Sequence, residues 1–170
     1  SQDTALDAGA GTITASAIDG GDHSLSLTSG NAASNAVQLG AVDHVSTLVV
    51  SGKATLAGDV TTTGTQTYNQ AVTLSQSGVT TLTGSTMTLK STLDGTADGV
   101  QGVKVAGGAS ISGAVGGGKK LASVEVTGQT TLGGNVSTTG NQSYGGQLTL
   151  GGNAVLDAGA GKVALSSVNG

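Results

Sequence analysis

GKATLAGDVTTTGTQTYNQAVTL (Gly52–Leu74) and GQTTLGGNVSTTGNQSYGGQLTL (Gly128–Leu150) are the same sentence written twice, 76 residues apart, with twelve of twenty-three positions identical. The tyrosines Tyr68 and Tyr144 fall on each other. A second echo lies further out. ALDAGAGTITASAIDG (Ala5–Gly20) matches VLDAGAGKVALSSVNG (Val155–Gly170) at eight of sixteen positions, and TLTGSTMTLKSTLDG (Thr81–Gly95) is a more diverged copy between them. VSTLVVSG at 45–52 likewise answers LASVEVTG at 121–128. The chain therefore reads as the tail of one unit (1–20) and two units of 75 residues (21–95 and 96–170), forming one continuous array whose neighbours would be more of the same. Self-similarity at such a period is the signature of repeat architectures, in which one unit cannot close a core alone and stacked units share one.

Within each unit the apolar residues alternate with Thr, Ser or other polar residues over short runs: LSL (25–27), AVTL (71–74), MTL (87–89), VKV (103–105), QLTL (147–150). Alternation places one set of side chains on each side of a strand. Breaks such as SGN, AGD and GGN supply turns. With 31 glycines and no helical periodicity, helix is disfavoured. Pro, Cys, Trp and Phe are absent, and only 9% of residues are charged. Such a chain lacks the charge of a disordered one and the large side chains of a wide globular core. A thin aliphatic core suits it.

The expected fold is all-β: a parallel β-helix, or β-solenoid, with about four coils of roughly 19 residues per 75-residue unit. Five coils of about 15 is the other division the runs allow. About nine coils would give a rod of roughly 43 Å at the strand spacing of a sheet. Leu56, Val60, Val72, Leu74, Leu132, Val136, Leu148 and Leu150 are expected inward, and Thr62 outward. The tyrosines are expected to cap core corners about four coils apart, roughly 19 Å along the axis.

GDVTTTGTQTYNQAVTL and GNVSTTGNQSYGGQLTL, flanked by LVVSGKATL and VEVTGQTTL, resemble the repeats of large bacterial exoproteins of the filamentous-haemagglutinin type and related autotransporter-type passengers. The resemblance covers essentially the whole chain. It implies a right-handed parallel β-helix, export to the cell surface or medium, and service as the shaft or filament of an adhesin. It carries over no catalytic residue.

The chemistry-bearing residues point the same way. A net charge of −4, with no Arg, argues against nucleic-acid binding, and no apolar run is long enough to insert in a membrane. His23 and His44 lie near one coil length apart, but each would need further ligands to hold a metal. Asp94 and Asp98, in DGTADG, have the oxygen chemistry for a weak calcium site, and a plain turn is the simpler reading. No carboxylate–lysine cluster of the polysaccharide-lyase kind, no nucleophilic serine motif and no P-loop is present; GAVGGGKK (113–120) reads as a surface corner. The expectation is no enzyme, no cofactor and no metal, with neighbouring repeats and end-to-end self-association as the partners. A carbohydrate- or ice-binding module is the alternative, with a polysaccharide-degrading enzyme behind it. Thr12–Thr14, Thr65–Thr67, Thr81–Thr83 and Thr86–Thr88 have the Thr-x-Thr spacing of an ice-binding rank, but not at one constant coil length.

Overall fold

A computed structural model describes residues 2–33 and 36–170. Parallel strands stack along one axis into a β-solenoid of about eight turns; the described residues contain no helix. At the spacing of adjacent strands, eight steps span about 38 Å.

Each coil has three strand-bearing faces. Face A carries Leu25, Leu48, Gln66, Met87, Ala109, Thr130 and Leu148 in one inward column. Face B carries Ile18, Val42, Val60, Leu82, Val105, Val126 and Tyr144. Face C carries Ile13, Val37, Ala54, Val72, Leu93, Val115 and Val136. The chain passes from A to C to B and back to A. Long strands such as Ile13–Thr28, Gly78–Leu89 and Gln101–Ile111 run round the corner from B to A without a break. Side chains alternate strictly: Val72 and Leu74 are buried while Thr73 between them is partly exposed. One aliphatic core runs the length of the rod, with Met87 and the two tyrosines as its largest non-aliphatic members.

Coil length is not constant. Partners on face A are 18 residues apart from Leu48 to Gln66 and 23 apart from Leu25 to Leu48. The difference is absorbed at corners, since the strands must stay in register to keep their inward sets inward. Coils of about 15 do not occur on this face. The number of turns is eight rather than nine, because three of the apolar runs that look like successive coils belong to different faces: Val72 lies on C, Met87 on A and Val103 on B.

The phase between the two sequence units is the main departure from expectation. From Gln66 on face A the column climbs through Met87 and Ala109 to Thr130, three coils, and the chain then turns past Val136 on C to reach Gln142 on B. One unit is thus three coils and two further faces. Tyr68 and Tyr144 stand on different faces, not in one column. Ala54 and Leu56 on C match Thr130 and Leu132 on A; Val60 on B matches Val136 on C. Leu6 on A matches Leu156 on C, one face further on after two units. Each unit falls a third of a turn short of four coils, and two units accumulate two thirds.

Seven of the eight residues expected inward are buried. Leu150 faces inward but is 38% exposed, because only the Asn169 end of the chain lies over it. Thr62 is a correction. It is buried, two residues from Val60 in the strand Val60–Thr62 and so on the same inward side. Its hydroxyl donates to the Gly64 carbonyl at 3.0 Å, which makes burial tolerable.

Candidate functional site

The most heavily hydrogen-bonded polar groups inside the rod form a corner that occurs twice. In the first unit Gln66 Nε2 donates to the carbonyls of Val60 (3.0 Å) and Thr83 (2.8 Å), and Tyr68 Oη donates to Gln66 Oε1 (3.2 Å). In the second, Gln142 Nε2 donates to the carbonyls of Val136 (3.2 Å) and Asp157 (2.8 Å), and Tyr144 Oη donates to Gln142 Oε1 (3.3 Å). Thr138 donates to Gly140 as Thr62 does to Gly64. At both glycines an added Cβ would stand 2.7 Å from a carbonyl of the preceding coil, Ser46 or Ala122, so TTG is a close-approach corner in each case. Burial pushes both phenols well above their ordinary range. A neutral phenol that donates to an amide and has no charged neighbour in this network is a structural pin rather than an acid or base. Gln66 and Gln142 were not singled out by sequence reasoning. Their signal was present, since each lies two residues before its tyrosine and therefore on the same inward side.

A second cluster ties two loops together. Asp94 Oδ1 accepts the amides of Gly118 (2.7 Å) and Lys119 (3.2 Å), and Asp98 Oδ1 accepts that of Lys120 (2.8 Å). Lys119 lies 3.7 Å from Asp98, and Lys120 2.7 Å from Asp157. The carboxylates considered for calcium are thus turned toward backbone amides and ammonium groups of GGGKK; where the sequence leads us to expect no carboxylate–lysine cluster, the fold assembles one from Asp94, Asp98 and Asp157 with Lys119 and Lys120. The hydrogen bond from Lys120, the amide of Gly159 and the Lys120 charge hold the Asp157 carboxyl below its ordinary range.

The histidines occupy the B-to-A corner. His44 Nδ1 is 3.3 Å from Asp19 Oδ1 with both side chains largely exposed, and His23 pairs with Val45 in the ladder. Asp22 and His44 adopt positive φ, the left-handed conformation that tight corners use. Among the described residues no group of three or more His, Cys, Asp or Glu side chains converges as a metal site would, and no helix is long and apolar enough to cross a membrane.

The Thr-x-Thr pairs separate. Thr12–Thr14 belongs to face C and Thr81–Thr83 to face B. Thr65–Thr67 and Thr86–Thr88 do stack, in register on adjacent coils of face A. Unequal coil lengths do not prevent a rank, because corners take up the difference. At the first coil a cavity of about 300 Å³, lined by Leu6, Ile13, Ala15, Ile18, Leu25 and Leu27, opens the core to solvent. At the other end Val155, Leu165 and Val168 are exposed.

Comparison with protein-family models, with curated proteins and with solved structures finds no match to this chain.

Proposed function

We propose that the chain is a structural rod segment, the shaft or filament of a secreted or surface-anchored bacterial adhesin, whose partners are further coils of the same kind packed end to end. The observation that carries this reading is the corner network built identically in both units on successive faces. Each unit brings its own buried pin and its own share of core. Units can therefore be added one after another, each lengthening the rod by about 18 Å. The apolar groups left open at the first and last coils are what such packing would cover. The Gln–Tyr corners serve register, and their donors and acceptors are turned on one another and on backbone carbonyls.

The test is immunogold labelling of unpermeabilised producing cells with antibodies raised against the purified 170-residue rod. Label on extended surface structures or in the medium is expected. Label confined to the interior of permeabilised cells would overturn the assignment.

A further inference from the structure

We infer that face A is a binding surface for a neutral, extended polysaccharide lying along the rod. From the second coil onward, none of the outward strand positions on this face carries a charge. One outward column runs Thr67, Thr88, Ser110, Thr131 and Thr149 on five consecutive coils. Such hydroxyls both donate and accept hydrogen bonds. Face B, by contrast, displays Asp19, Asp43, Lys104 and Glu125, and face C displays Lys53, Asp94 and Asp157.

The turn of a third between units makes this distribution informative. If surface chemistry merely followed the sequence unit, charges would migrate around the rod with it, as they do from Asp7 on face A to its copy Asp157 on face C. Five other positions depart from this. Ser26, Val49 and Thr86 on face A have as their equivalents on face B Lys104, Glu125 and Lys162. In the other direction, Lys53 and Asp94 on face C become Gln129 and Asn169 on face A. Asp19, the earlier equivalent of Asn169, is on B and charged. At these five positions charge appears on leaving A or is replaced by an amide on arriving there. From the second coil onward the strand positions of face A stay neutral, which a purely structural rod has no need to maintain.

The surface is long and shallow. Eight coils of it extend about 34 Å, with outward columns about 6.6 Å apart. At Gly108 the missing side chain opens a groove of about 390 Å³ walled by Thr86, Ser110, Gln129 and Thr131. Both tyrosines are buried, so the ligand is held by hydrogen bonds without aromatic stacking, and by repetition along the chain. The outward strand positions offer an anionic glycan no cation; Lys90, exposed one residue past the strand end at Leu89, stands at the edge of the face.

The probe is native affinity electrophoresis of the purified rod through gels containing galactomannan, glucomannan or hydroxyethyl-cellulose, with alginate as the anionic contrast. Retardation by at least one neutral polymer and not by alginate is expected. Ser110→Lys and Thr131→Lys should weaken it about tenfold, as desolvating a lysine against an uncharged ligand would. Thr73→Lys puts the same charge on face C and should leave it unchanged. Circular dichroism verifies that all three variants remain folded. The inference is overturned if no neutral polymer retards the rod, if alginate alone does, if the face-A and face-C variants lose retardation equally, or if the rod shapes growing ice crystals while ignoring every polymer. A rod that fails here can still be a surface filament, so the immunogold result stands apart from this one.

Discussion

In the first unit Tyr68 and Gln66 close a corner on face A; in the second, Tyr144 and Gln142 close the same corner on face B. The hydrogen bonds agree partner for partner to within about half an ångström. The neighbours above and below agree in kind as well. Tyr68 is stacked between Val50 and Leu89, and Tyr144 between Val126 and Leu165. The local motif therefore builds itself wherever it lands on the rod, and its position around the axis is settled by the chain that precedes it. Hydrogen bonds and stacking partners are both modular here, and what changes is the face on which they stand.

The strongest way to break this comparison is through the core. Leu56 and Leu132 are equivalent, fully buried, and on different faces. Truncation to Ala at either should cost about 2–5 kcal/mol. Denaturant melts of the two variants test whether context matters. Equal costs would mean that neighbouring columns collapse similarly on faces C and A, and a difference beyond about 1 kcal/mol would measure packing that the repeat does not control.

The buried amide is the next test. Gln66→Leu and Gln142→Leu each strand a tyrosine hydroxyl and remove the amide donor to two carbonyls, Val60 and Thr83 or Val136 and Asp157, of which Thr83 keeps the Thr62 hydroxyl at 3.3 Å. Loss of about 1–3 kcal/mol is expected in each, since unsatisfied buried groups carry the full desolvation cost. A neutral effect at both positions in the same melts would show that the network does not hold the corner.

The smallest effect sharpens the comparison in the opposite direction. Ala54 in the first unit becomes Thr130 in the second, and the buried Thr130 hydroxyl has no hydrogen-bond partner. Thr130→Val keeps the shape and removes the lone hydroxyl. A gain of about 1 kcal/mol is expected, read as a rise in thermal midpoint. A fall would mean that the hydroxyl does have a partner in solution.

Much of the fold was legible before any coordinates. Alternating Val and Leu named the inward residues, because a strand can bury only every second side chain. Val60-Thr-Thr62 shows the limit of reading by residue type. Alternation itself places Thr62 beside Val60, and only the habit of treating threonine as a surface residue sent it outward. Gln66 and Gln142 were passed over for the same reason, since nothing in composition says that a polar side chain on the apolar phase will find the carbonyls it needs. The candidate binding face was less legible still. Thr67 and Thr131 share it although they occupy different places in their units, and Thr67 and Ser143 do not although they occupy the same place.

The sequence by itself determined the class of fold, the two units, the strands and which side of each strand is apolar, since these depend on residues a few positions apart. Only the tertiary structure decided the phase: which strand lies over which, that a unit spans three coils and two faces, and where a neutral surface can run unbroken. Corners of unequal length set that phase, and no periodicity in the sequence counts residues that turn the chain without entering a strand.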